Sequence, residues 1–217
     1  YVFMHDPKNY IPKMAHGRIS VNSANQAVQV IQKIINFEKN PPSDPTFYTK
    51  GLHAGYFQDS ARDGTSDKRY AHTTIEIYEY LKTQGYQSDL VLYTEPDVVP
   101  KRFNSYYSGN TTIPPQYLKE NGFAWDGDKY DILNALNDGR IYAFHRDHGL
   151  QRRWVSPKFD ISDMDALANG NETPVVFSIN CASGLFTKPE PDICFSEKLL
   201  RFENGGAVGI VSATEET

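Results

Sequence analysis

Apolar residues in the first third of the chain recur at helical spacing and then give way to short continuous runs. In "SANQAVQVIQKIINF", residues 23–37, Ala27, Val28, Ile31, Ile34 and Ile35 share one face, which predicts an amphipathic helix. Asn22 or Ser23 can cap its start. The prolines of "EKNPPSDP" end it, because they cannot continue the hydrogen-bond ladder. Residues 47–57 predict a strand, with Phe47, Leu52, Tyr56 and Phe57 among small residues. The polar loop "QDSARDGTSD" follows, then a helix over 68–83 with Ala71, Ile75, Tyr78 and Leu81 on its buried stripe and Gly85 as its stop. "DLVLYT" is a short buried strand.

Residues 95–127 break the pattern. Pro96, Pro100, Pro114 and Pro115 and the turn signals "SGN", "NG" and "DGD" predict a long irregular segment of the functional or flexible kind. Regularity returns with a helix at 129–138, the strand "IYAF", the strand "PVVFSIN" at 174–180, a helix at 193–203 and the apolar strand "GAVGIVSA". Short apolar strands alternating with helices predict an α/β fold, a mostly parallel sheet with helices on both faces. Ligands of such sheets collect at the carboxyl ends of the strands. Two strands end in reactive residues there: "IYAF" runs into "HRDHG", and "PVVFSIN" runs into Cys181.

Composition narrows the function classes. The chain has 217 residues, enough for one core, and a formal charge of -5, which argues against nucleic acid as the main partner. No apolar run is long enough for a transmembrane helix, and "YVFMHDPKNY" has neither the basic start nor the apolar stretch of a signal peptide. That opening is expected to be cut from something longer. Cys181 and Cys194 are the two cysteines, too few for a disulfide framework.

"HRDH" matches the tail of the zinc pattern H-x-H-x-D-H, but the first position is Ala143 and no histidine follows His148 to complete a coordination shell. His5, His16, His53 and His72 are scattered upstream. A zinc site is therefore not expected. A thiol becomes a useful nucleophile when an imidazole can take its proton. Cys181 precedes the small-residue turn "ASG", which lets the thiol stand exposed and backbone N–H groups point at a substrate oxygen. Gly149, directly after His148, permits close backbone approach in the same way. Either residue alone reads equally as packing; their pairing at two strand ends is what points to chemistry.

Strand-His-Gly followed by strand-Cys resembles the caspase-like cysteine peptidases, and more closely the gingipains. The resemblance runs through "NYIPKMAHGRISVNSANQAVQVIQKIINFEKNP", "GTSDKRYAHTTIEIYEYLKTQGY", "FHRDHG", "VVFSINCASGLF" and "CFSEKLLRFENGGAVGIVSAT", nearly the whole chain. It implies a cysteine endopeptidase in which His148 is the catalytic histidine and Cys181 the nucleophile, with the N–H groups of Gly149 and Cys181 as the oxyanion hole. His145 falls where an aromatic is usual and is expected to stand behind the site. The acidic residue that orients the histidine would be Asp59, with Asp63 as the alternative. Asp67 matches an acidic residue of the specificity pocket in Arg-specific members, and reads equally as a helix cap. The resemblance further implies a protein or peptide substrate, no organic cofactor, and a secreted or bacterial cell-surface location. It leaves the oligomeric state open.

Structural calcium is also left open, since gingipains bind it and "WDGDKYD" gathers Asp126, Asp128 and Asp131. The spacing departs from an EF-hand loop, and Asp128 is more simply a helix cap. The chain is expected to be one peptidase domain over 1–217, incomplete at both ends, with a 95–127 loop longer than in gingipains. Two rival readings share these residues: a non-catalytic surface or assembly module, and a sorting transpeptidase using the same cysteine with an amine as acceptor.

Overall fold

Near-continuous burial along the central strands, whose side chains point alternately to the two faces, explains the layers of the computed structural model, which describes residues 17–104, 112–187 and 193–216. His5, His16, the opening "YVFMHDPKNY" and the "SGN" turn lie outside the described residues. The chain forms helix α1 (Ala24–Lys39), strand β1 (Lys50–Tyr56), helix α2 (Tyr70–Thr83), strand β2 (Gln87–Tyr93) and helix α3 (Lys129–Asn137). Strand β3 (Tyr142–Arg146) follows, then the short β4 (Gly149–Leu150), β5 (Arg153–Trp154) and β6 (Phe159–Asp160). Strand β7 (Val175–Ile179), helix α4 (Phe195–Arg201) and strand β8 (Gly209–Ser212) complete the order.

The main sheet has the order β2-β1-β3-β7-β8, and every pair in it is parallel. In β1, Leu52 and Ala54 point to one face and join a core with Ile132, Leu133 and Leu136 of α3. His53 and Gly55 point to the other, where His53 meets Tyr78 of α2 edge-on and Gly55 leaves room for Thr74. A Cβ at Gly55 would stand 2.5 Å from Thr74 Oγ1, so the absence of a side chain is what lets α2 lie this close. Phe195 of α4 joins the α3-side core with Val176 and Trp154. Helices thus cover both faces, as the alternation predicts. On the α2 side the cover ends before the last two strands, where Phe177, Ile179 and Val211 are exposed.

Several boundaries differ from the sequence expectation for physical reasons. Phe47 is buried in a 3-10 turn, Pro45–Thr49, that precedes β1 rather than in the strand. Helix α2 starts at Tyr70, two residues late. Its N-cap Arg69 makes no side-chain capping bond, which removes the cap role considered for Asp67. Gly85 does end that helix, at a left-handed φ of +90°. Helix α1 is capped by Ser23, whose hydroxyl accepts from Gln26 N–H. Its predicted buried face is rotated, however: Val30 is buried while Val28, Ile31 and Ile35 are exposed. Lys33 explains the rotation. Its ammonium donates to the carbonyls of Leu200 and Gly205 and so faces inward, and burial lowers its pKa to about 8. Cys194 is the N-cap of α4, which starts two residues after the predicted 193.

The 95–127 segment is a structural cover where described. Val98, Phe103, Ile113, Tyr117 and Trp125 form a second apolar core with Phe57, Leu92, Ala71 and Ile75. Each buried aromatic there is worth roughly 1.5–3 kcal/mol, enough to order a segment with little regular structure. Among the described residues no helix is long and apolar enough to cross a membrane.

Two imidazoles are sealed in the layers. His53 and His145 are both fully buried, and burial lowers their pKa values from 6.5 to about 4 and about 3. The unfolded chain therefore binds more protons than the folded one between those values and 6.5, so stability is lost as pH falls below 6.5. Asp147, raised by burial to about 7, pulls the other way over pH 4 to 7. Replacing His53 by Phe should flatten the acid-side fall by up to about 1.4 kcal/mol per pH unit. Urea unfolding between pH 6.5 and 4.5 checks this; an unchanged slope would mean His53 titrates normally in the fold.

Candidate active site

Parallel pairing delivers the two reactive segments to one edge. Strands β3 and β7 run side by side with His145 opposite Ser178 and Arg146 opposite Ile179. The chain leaves β3 into Asp147, His148 and Gly149, and leaves β7 into Asn180 and Cys181. The two exits touch. A Cβ on Gly149 would lie 2.4 Å from the Cys181 carbonyl oxygen and 2.5 Å from Asn180 Oδ1. Glycine at 149 is therefore required by the approach itself. Both His148 and Cys181 are half-buried, open enough to meet a ligand.

The turn after the thiol is tight. Ala182 takes a left-handed φ of +52°, a conformation that costs an L-residue roughly 1–2 kcal/mol. The segment beyond β8 pins it: Ala182 N–H donates to Glu215 O, and Gly184 N–H donates to Ala213 O.

Beneath this edge lies a buried polar network. The Trp154 indole N–H donates to Ser178 Oγ at 2.8 Å, and Ser178 Oγ lies 2.9 Å from Ser183 Oγ. Asn180 Nδ2 donates to His145 Nδ1 at 2.8 Å, while the His145 ring stacks flat on Trp154 at 4.3 Å. His145 is accordingly fully buried beneath this edge and packs as an aromatic against Trp154. Ser178, Asn180 and Trp154 were not singled out in the sequence. They form because β5 folds back in the small antiparallel sheet β4-β5-β6, which the apolar pattern of such short strands does not reveal.

The ring of His148 is held from the loop after β1 and from α2. Its Nε2 lies 2.9 Å from Gln58 Oε1, and Tyr70 packs edge-on at 5.2 Å. The Arg146 guanidinium sits 5.1 Å over the Tyr70 ring and donates to Ile179 O at 3.0 Å. The His148 pKa is lowered, first by burial and then by the positive charges of Lys68 and Arg146. Asp59 and Asp63 are engaged elsewhere. Asp59 is buried and accepts from the N–H groups of Asp63 and Gly64; Asp63 accepts from Thr65 N–H. Both carboxylates shape their own loop, and Gln58 meets the ring in the place where an acid was expected. Asp67 accepts from the N–H and hydroxyl of Ser60 and lines a shallow pocket with Lys68, Tyr70, Asn104 and Arg146.

Asp128 caps α3 in a reciprocal box with Asp131, so those two carboxylates serve the helix start. Among the described residues no group of three metal-type side chains comes together.

A parallel sheet with a histidine and a cysteine at the exits of two neighbouring strands defines an α/β protein. The model of peptidase family C25 matches residues 1–217, and the chain belongs to that family. Gingipain R2 of Porphyromonas gingivalis is 24% identical over 204 residues, 91% of this chain and 23% of that protein. Lys-gingipain HG66 of the same organism is 23% identical over 209 residues, 95% of this chain and 10% of that protein. The crystal structure of the Arg-specific cysteine proteinase gingipain R superposes with a TM-score of 0.66 at 22% identity, over 93% of this chain and 40% of that one. The complex of the RgpB pro- and mature domains of P. gingivalis gives 0.66 at 23% identity, over 93% and 41%. The chain thus spans less than half of each of these relatives, and the structural likeness establishes the caspase-like α/β fold.

Two thiols offer a direct check on the site. Cys194 is buried, which raises its pKa to about 11, whereas Cys181 is half-buried. Iodoacetamide followed by mass mapping should modify Cys181 first. Earlier modification of Cys194 would place the reactive thiol elsewhere.

Proposed function

We propose that the protein is a cysteine endopeptidase that cleaves peptide bonds through Cys181 and His148. The observation that carries this reading is the contact between the two strand exits, where Gly149 lies against the Cys181 carbonyl. Membership of peptidase family C25 supports the same chemistry. In the reaction the Cys181 thiol attacks the scissile carbonyl carbon while His148 takes its proton. The N–H groups of Gly149 and Cys181 receive the oxyanion. The tetrahedral intermediate collapses to a thioester as His148 returns the proton to the leaving amine. Water then attacks the thioester with His148 as base, releasing the acid product and the thiol. No organic cofactor enters these steps.

The substrate is a protein or peptide, and the gingipain likeness points to action outside a bacterial cell. For the residue before the scissile bond, Asp67 is the candidate determinant, because it lines the pocket beside Tyr70 and would face a basic side chain there. Lys68 and Arg146 line the same pocket. Their charge opposes a basic ligand, so the preference rests on which charge lies nearer the bound side chain.

His148→Ala should lower turnover by roughly two to four powers of ten. His145→Ala, corrected for the folded fraction, should be far milder in rate and costly in stability. A reversed pattern, with His145 essential and His148 dispensable, would overturn the assignment. Specificity is read from a fluorogenic peptide library on wild type and Asp67→Asn. A preference for Arg or Lys that collapses in the variant supports the pocket role. An unchanged profile removes Asp67 from specificity.

A further inference from the structure

The partner of the His148 ring is an amide, where a carboxylate would be the ordinary choice for holding an imidazolium. Gln58 Oε1 lies 2.9 Å from His148 Nε2, and Gln58 Nε2 lies 3.4 Å from Ser60 Oγ. An amide oxygen accepts and does not donate, so the ring nitrogen facing it must carry the proton. In the neutral ring the lone pair is then on Nδ1.

The groups around the ring disfavour a positive charge on it. Lys68 lies in the loop before α2, and Arg146 ends β3; both push the ring toward its neutral form. Tyr70 of α2 meets the ring edge-on without charge. Asp147, next in sequence, has its Oδ2 bound by Ser156 N–H at 2.6 Å and is itself pushed toward the neutral form by burial. The backbone of Cys181, at the exit of β7, lies against Gly149, the residue after His148. A glutamate at position 58 would add the compensating negative charge; glutamine supplies only a dipole.

We propose that Gln58 is a positioning residue that holds His148 as the neutral Nε2–H tautomer, presenting Nδ1 as the base for the Cys181 thiol. Proton transfer then accompanies attack on the carbonyl, in place of a preformed thiolate–imidazolium pair. The catalytic consequence rests on the Cys–His reading above, whereas the tautomer does not depend on it.

The test separates the two. Ring 15N shifts of His148 in the full chain, assigned by comparison with His148→Gln, should show the Nε2–H tautomer at neutral pH. Gln58→Glu, close to isosteric, should raise the His148 midpoint by about one pH unit or more. It should move the acid limb of kcat/KM upward with it. Gln58→Ala should lower kcat about 10- to 100-fold with little change in KM, as expected when a base loses its orientation. Because Asp147 also titrates near neutrality, the 58-dependent midpoint is read again with Asp147→Asn. An Nδ1–H tautomer in the wild type, or a midpoint that ignores Gln58→Glu in both backgrounds, overturns the proposal. Absence of activity with the expected tautomer and midpoint shift overturns the Cys–His reading instead.

Discussion

The in-register pairing of β3 with β7, Arg146 opposite Ile179, fixes where every reactive group lies. Parallel strands end on the same edge, so two segments far apart in sequence leave the sheet side by side. The pairing alone would allow the exits to splay. Gly149 prevents that by removing the Cβ that would otherwise strike the Cys181 carbonyl and Asn180. The contact is one of backbone and a small side chain, which leaves it little freedom to vary. Flexible side chains would give a looser site. Ala182 supports the same end: a strained φ kept in place by Glu215 and Ala213 marks a turn determined by its surroundings.

The floor under this edge is polar, and its polarity is satisfied around Asn180. Asn180 Nδ2 gives to His145 Nδ1, and Ser178 Oγ receives from Trp154. A buried network of this kind is costly unless paired, and when paired it specifies one arrangement. Here it ties Asn180, the residue before Cys181, to the strand that leads into His148. Neutral His145 is integral to it: protonation at Nδ1 would remove the acceptor that Asn180 needs.

The order of elements was legible in the residues, as was the placing of His148 and Cys181 at two neighbouring strand exits, because apolar runs and helix stops carry them directly. Asp128 as a cap and Gly85 as a stop were legible for the same local reason. What could not be read was decided by tertiary contact. The stripe of α1 looked complete with Val28, Ile31 and Ile35, yet Lys33 reaching two carbonyls turns that face outward. Strands of two residues, such as β5, carry no periodicity, so Trp154 as the floor of the site had no signal. The partner of His148 was sought among acids in "QDSARD", and the residue that meets the ring is the glutamine at its start. Alternation along the end of β1 does not say which of adjacent side chains turns toward β3 once the chain leaves the sheet.

The irregular 95–127 segment acquires a role from its hydrogen bonds. Arg102 N–H and Lys101 N–H both donate to Gly64 O, and Ser66 N–H donates to Arg102 O. Asn104 completes the seam: its N–H donates to Ser66 Oγ, and its side chain donates to Asp67 O. The loop from Gln58 to Asp67, which carries the ring partner and the pocket acid, is thereby clamped on its outer side. The clamp is anchored in turn by Phe103, which is buried in the second core and stacks on His72 of α2 at 4.3 Å. An exposed ten-residue loop would ordinarily sample many conformations and hold a base poorly. Backing it with a segment that has its own apolar core converts it into part of the scaffold. The burial of Phe103 and Trp125, distant from Cys181 in the chain, therefore contributes to the orientation of His148 as well as to stability.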